Sequence, residues 1–206
     1  MPLFFTALTV LAALGVLLAE RRGSQRGKWL AKPVAGLSFV ALALASGALG
    51  SSYGRIVLAA LVLSLVGDVL LVPKGTGWPF RLGMLTFLLA HVAYVTAFSS
   101  RATLSYDSAA RALVCIGLCG GAAIPLVRRA PHKLRVPVAA YALALASMVA
   151  TASITNSTHI ATAAVLFLAS DVFVGLNRFT TPSFLWKVLA VPLYYGAQIV
   201  FATSVS

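Results

Sequence analysis

Acidic side chains are nearly absent from this sequence: Glu20, Asp68, Asp107 and Asp171 are the only four in 206 residues. Charged residues of both signs make up 10% of the chain, against 60% apolar. A soluble domain carries about 25% charged residues, so this shortage excludes an ordinary water-facing surface and points to a membrane protein. The three histidines, His91, His132 and His159, show no metal-ligand spacing, and no metal is inferred. Two cysteines build no disulfide framework; Cys115 and Cys119 lie four apart in an apolar run and read as small core packing. No glycine-rich loop precedes a helix to cradle phosphates, and there is no nucleophile elbow, so no cofactor is called for.

What is present is apolar sequence in long blocks. A spanning helix needs roughly 20 largely apolar residues. Eight segments approach that length, at about 3–19, 33–50, 55–72, 80–98, 110–127, 137–153, 160–177 and 184–203. The connections are too short to hold a soluble domain. The expected fold is all-α: one integral membrane bundle of eight transmembrane helices over residues 1–206. The first segment lacks a basic stretch ahead of it and reads as a retained helix rather than a signal peptide.

The formal net charge of +12 would suit nucleic acid, but the basic residues sit between apolar segments, so membrane topology accounts for them. Of 16 Lys and Arg, 13 fall on alternate connections beginning with Arg21, Arg22, Arg26, Lys28 and Lys32. The other side holds only Arg55, Arg101 and Arg111. The positive-inside rule then puts both termini on the non-cytoplasmic side. The Ala/Leu/Val richness and short loops point to a bacterial cytoplasmic membrane.

Two of the four acids interrupt apolar runs. Leu61 to Leu71 carries Asp68, and Val165 to Val174 carries Asp171, an offset of 103 that is half the chain length. Aligned on the aspartates, Val62, Leu63, Leu65 and Val69 recur as Val165, Leu166, Leu168 and Val172. With four helices per half, the offset suggests two parallel four-helix repeats about an axis along the membrane normal. Both aspartates sit on the order of 10 Å below the basic boundary, from the rise of an α-helix. A carboxylate in an apolar helix is costly and marks a functional hypothesis whose partner has to be named; here each aspartate is the obvious partner of the other. Two neighbouring carboxylates in low dielectric can share a proton, one serving as general acid and the other as base. The plain alternative is that each bonds a neighbouring helix and specifies packing.

Other polar residues lie within the spans: His91 and Tyr94 in the fourth, and Tyr194, Tyr195 and Gln198 in the matching part of the eighth. Such side chains also satisfy buried hydrogen bonds while packing their rings. Lys32 and Arg178 stand at the basic boundary, where a phosphate site and simple snorkelling are both open readings.

At these residues the chain resembles the YhhN-type lysoplasmalogenase family of eight-helix membrane enzymes. The resemblance rests on Lys32-Pro33, on Gly67-Asp68, and on the spaced set Phe80, Gly83, Phe87, His91 and Tyr94. It continues through Phe167, Ser170-Asp171, Asn177-Arg178-Phe179 and Tyr194-Tyr195 with Gln198. Gly175 departs from the pattern, where alanine is the commoner residue. The resemblance implies hydrolysis of the sn-1 vinyl ether of lysoplasmalogens to a fatty aldehyde and glycerophosphoethanolamine or glycerophosphocholine. It implies Asp68 and Asp171 as the catalytic pair and Lys32 and Arg178 as phosphate ligands. His91, Tyr94, Asn177, Tyr194, Tyr195 and Gln198 would bind or orient. The partners it implies are the lysophospholipid and the bilayer, with no nucleic acid; nothing in the sequence specifies an oligomer.

Two rival readings use the same aspartates. A proton-coupled transporter also places acids within repeats, although few spans here are interrupted by Gly or Pro. An intramembrane aspartyl protease would show Gly-x-Gly-Asp, where this chain has Leu65-Val66-Gly67-Asp68. A lipid-binding scaffold is the non-enzymatic reading.

Overall fold

A computed structural model describes residues 1–205 and places eight α-helices in them. They are α1 Pro2–Arg21, α2 Gln25–Ala45, α3 Ser52–Leu70, α4 Trp78–Ser99, α5 Tyr106–Arg129, α6 His132–Ser153, α7 Thr158–Phe179 and α8 Phe184–Thr203. All eight are long and apolar enough to cross a membrane, so the chain is a multi-pass membrane protein. Only helices and closed barrels satisfy every backbone polar group in lipid. Among the described residues the sole strand-like pairing is an isolated bridge between Ala102 and Thr155.

Serines set many of the helix starts. The hydroxyls of Ser24, Ser51 and Ser157 accept from the amides of Gly27, Gly54 and Ile160, satisfying donors that the helix itself leaves unpaired. Ser105 and Ser108 form a reciprocal capping box that opens α5.

Two helices start earlier than the sequence expectation, α2 at the Ser24 cap and α6 after Pro131, which has no capping side chain. The second span was expected to open at residue 33 and the sixth at 137. Instead α2 starts at Gln25 and α6 at His132, with Pro33 and Pro137 inside them. A proline disfavours helix in the residue before it, but neighbouring helices in a membrane bundle make internal prolines tolerable. At its other end α2 stops at Ala45, short of the expected 50, and a 3-10 turn over Ala48–Gly50 follows Gly47, whose φ is 92°.

The packing repeats by halves. α1 pairs with α2 as α5 pairs with α6, and α3 pairs with α4 as α7 pairs with α8. α2 contacts α3 and α8 as α6 contacts α7 and α4. The symmetry breaks at α5, which leans on α7 and has only Ser108 and Cys119 buried, whereas α1 leans on α8. Where the halves meet, residues 103 apart touch: Arg101 donates to the Ser204 carbonyl at 3.3 Å and Arg178 to that of Gly75.

The core between the halves is aromatic. The Phe167 ring centroid lies 5.4 Å from Tyr194, 5.0 Å from His91 and 6.4 Å from Phe87. Small residues let the helices approach this closely. A β-carbon on Gly67 of α3 would stand 2.6 Å from the Phe87 ring of α4.

Candidate active site

Asp68 lies in the last turn of α3, two residues before its end, while α7 runs on for eight residues past Asp171. The two positions are thus unequal relative to their own helix ends. Both nevertheless line one cavity of about 420 Å³. Tyr141, Tyr194 and Tyr195 join the aspartates on its polar side, and Phe80, Met84, Leu126, Phe173 and Val191 contribute apolar walls. Lys28, Lys74, Arg178 and Lys187 also border it, so it belongs to the basic end of the bundle.

The aspartates do not pair with one another. Asp68 is matched by the Lys32 ammonium, 3.7 Å from Oδ1 and 3.5 Å from the Asp68 backbone oxygen. The pairing has a local cause: the C-terminal turn of a helix carries the negative end of its dipole, which opposes a carboxylate and draws a cation. Lys32 reaches it because α2 is already helical there. Lys28 and Lys32, four apart on one face, point the same way. Lys32 is therefore bound to a catalytic candidate, and the boundary position expected of it gives way to one inside the bundle. Among the described residues, Asp68 Oδ2 is buried without a hydrogen-bond partner.

Asp171 has different neighbours. The Tyr141 hydroxyl of α6 donates to its Oδ2 at 2.6 Å, and His91 Nε2 of α4 stands 3.8 Å from the same oxygen, beyond hydrogen-bond range. His91 is fully buried behind Asp171, gripped edge-on by Tyr141 and Phe167 with centroids 5.0 Å away in each case. The two carboxylates still act on one another electrostatically across the cavity.

A buried chain of hydrogen bonds supports the Asp68 side. Tyr94 donates to Gln198 Oε1 at 2.9 Å, and Gln198 Nε2 donates to the Tyr194 oxygen at 3.0 Å. Because that oxygen already accepts, the Tyr194 proton is left for another acceptor, and Asp68 is within its electrostatic reach. The Tyr195 hydroxyl is buried with no hydrogen-bond partner among the described residues.

Asn177 and Arg178 flank the cavity at the end of α7. Asn177 Oδ1 accepts from the Ser183 amide at 3.1 Å, closing the turn into α8. Arg178 covers the Phe80 ring at 4.2 Å while bonding Gly75. The structure thus brings Asp68, Asp171, Lys32, Asn177, Arg178, Tyr194 and Tyr195 to the cavity wall and sets His91, Tyr94 and Gln198 behind it.

Sequence reasoning missed Tyr141, whose only signal is being the one tyrosine in α6. It also missed the cluster in which Glu20 binds Lys187 at 2.7 Å and Lys28 at 3.5 Å. Glu20 could have been found as one of only four acids.

Comparison with known proteins bears on the same residues. Over 166 residues the chain is 35% identical to a protein of Mycobacterium bovis named lysoplasmalogenase, covering 76% of this chain and 62% of that one. It is 30% identical over 151 residues to lysoplasmalogenase TMEM86A of Bos taurus, with coverage of 70% and 62%. With lysoplasmalogenase TMEM86B of Sus scrofa it shares 31% over 163 residues, with coverage of 76% and 66%. The chain therefore spans about 62% of the length of the mycobacterial relative. No solved structure matches it. The YhhN family model matches residues 27–205, from the first turn of α2 to the end of the described chain. Both aspartates, their separate partners and the tyrosine chain behind them fall inside that match, and the chain belongs to the YhhN family.

Proposed function

We propose that this protein is a membrane hydrolase that cleaves the sn-1 vinyl ether of lysoplasmalogens, releasing a fatty aldehyde and glycerophosphoethanolamine or glycerophosphocholine. One observation carries the reading: two carboxylates on a single cavity, one facing an ammonium and the other held by a phenol. The names of the relatives support the same substrate class.

A vinyl ether resists base but is opened by a proton delivered to its β-carbon, which leaves an oxocarbenium ion for water to capture. That chemistry needs one proton donor and one anion. Asp171, bonded through Oδ2 to the neutral Tyr141, supplies the proton from its other oxygen. Asp68, beside Lys32, stabilises the cation and takes a proton from the attacking water, as paired carboxylates do in glycoside hydrolysis. The resulting hemiacetal collapses when Asp68 returns its proton to the departing glycerol oxygen and Asp171 removes one from the hemiacetal hydroxyl. Both carboxyls then regain their starting states. Tyr194, set by Gln198 and Tyr94, orients Asp68, and Tyr195 stands ready for the water. His91 positions Asp171 from behind. The basic rim meets the phosphate, with the cavity and its rim on the cytoplasmic side, both termini opposite, in a bacterial cytoplasmic membrane.

The helices stay continuous through their prolines, without the unwound midpoints of transporter sites. The test is aldehyde release by purified protein, with Asp68→Asn and Asp171→Asn beside it. Turnover should be lost in both folded variants. Reaction in D₂O should place one deuterium on the aldehyde carbon next to the carbonyl. A wild type without turnover on either headgroup, or an unlabelled aldehyde, would sink the mechanism.

A further inference from the structure

A second cavity, of about 340 Å³, adjoins the aspartate cavity. The two share only Glu20, Asn177 and Lys187. Glu20 sits in this shared wall with its side chain 15% exposed, bonded by Lys187 at 2.7 Å and by Lys28 at 3.5 Å. Two ammoniums on one carboxylate leave one positive charge in excess, in a wall that a lipid headgroup must meet when its chain lies in the apolar cavity. Asn177 spends its carbonyl on the Ser183 amide and keeps its NH₂ donors for another acceptor.

We infer that Glu20, Lys28 and Lys187, with Asn177, form a headgroup subsite that takes a phosphate ester bearing a primary ammonium. The phosphate replaces Glu20 as the acceptor for Lys187, Lys28 and the Asn177 amide. Glu20, freed in part, accepts from the headgroup ammonium. A primary ammonium brings three N–H donors to that carboxylate and a trimethylammonium brings none. Quaternary ammonium recognition uses an aromatic cage, and the second cavity has one aromatic ring, that of Phe184. Ethanolamine is therefore preferred to choline. This assignment rests on the lysoplasmalogen reading of the aspartate cavity.

The test is binding of 1-alkyl lysophospholipids, which have no vinyl group to cleave, to the full-length purified protein. The probes carry ethanolamine, choline or no amine. Wild type should bind the ethanolamine lipid about tenfold more tightly than the choline lipid, a 1.4 kcal/mol difference. Glu20→Gln should abolish that preference while leaving the amine-free lipid bound at least as well. Lys187→Gln should weaken all three lipids without reordering ethanolamine and choline, which guards against a Glu20 variant that merely misfolds. Equal binding of ethanolamine and choline lipids by a wild type that still releases aldehyde would overturn the subsite alone, as would a preference that survives in folded Glu20→Gln. No binding of any lipid together with no aldehyde release would overturn the hydrolase reading and the subsite with it.

Discussion

The aspartates hold related positions but keep unlike company, and that difference decides what each can do. Asp68 faces an ammonium at 3.7 Å, whereas Asp171 accepts from a phenol at 2.6 Å. Shifting by 103 places Arg135 opposite Lys32 and Ser38 opposite Tyr141, but Arg135 bonds the Ala130 and Arg128 carbonyls rather than Asp171, so neither pairing recurs in the other half. Tyr141→Phe removes a single hydrogen bond from Asp171, the proposed proton donor, and leaves the cavity shape intact. As Asp171 gives up its proton it becomes a carboxylate, to which a hydrogen bond contributes about 1.5–3 kcal/mol. Turnover should therefore fall roughly tenfold or more with KM little changed, read from steady-state aldehyde release. A KM rise at constant kcat would assign Tyr141 to substrate binding instead. Lys32→Met tests the other partner. It leaves Asp68 buried at the negative end of α3, a loss of about 3–5 kcal/mol for a broken buried pair. The melting temperature in detergent should drop clearly, and Lys32→Met combined with Asp68→Asn should recover most of it. An unchanged melting temperature in the single variant would mean that the ion pair does not hold α2 on α3.

At the scale of helices, what the sequence made legible was whatever stood out against an apolar background. Eight blocks of apolar residues became eight helices, and two carboxylates inside those blocks became the floor of one cavity. What escaped was whatever depended on where a helix begins. Pro33 reads as a helix start, but the Ser24 cap begins α2 earlier and turns Lys28 and Lys32 into the bundle. Tyr141 escaped because a tyrosine in an apolar helix looks the same whether it bonds a carboxylate or anchors at the interface. Glu20 escaped because only the approach of Lys187 on α8 distinguishes it from any acid near the end of a helix.

Helix packing makes its own prediction. Gly67→Ala would put a β-carbon 2.6 Å from Phe87, whose ring packs against Phe167 and Tyr194 with centroids 6.4 and 6.0 Å away. Overpacking of this kind costs about 1–3 kcal/mol, and here it also displaces the tyrosine that serves Asp68. Gly196→Ala on α8 meets nothing within 4 Å and should leave stability and turnover unchanged. Thermal unfolding of the two variants side by side checks the contrast; equal behaviour would show that the α3–α4 approach has slack.

For the whole molecule, the two-fold repeat and the charge distribution lead to one geometry. Helices 103 residues apart run in the same direction, so α3 and α7 bring their aspartates in from the same side. The cavity they line is bordered by Lys28, Lys74, Arg178 and Lys187, all from the connections or helix ends that carry most of the basic residues. At the opposite end Arg101 is tied down over the Tyr53 ring at 3.5 Å, and little other positive charge is present. If basic connections stay in the cytoplasm, the cavity draws its lipid from the cytoplasmic leaflet, whose anionic surface also favours a basic mouth. Single-cysteine labelling decides this. With Cys115 and Cys119 replaced, Thr76→Cys in the exposed α3–α4 connection should react with a membrane-impermeant maleimide only after cells are opened. Leu104→Cys, at an 87% exposed position between α4 and α5, should react in intact cells. The reverse pattern would invert the protein, place the cavity mouth on the outer leaflet, and require its lysolipid to be supplied from outside the cell.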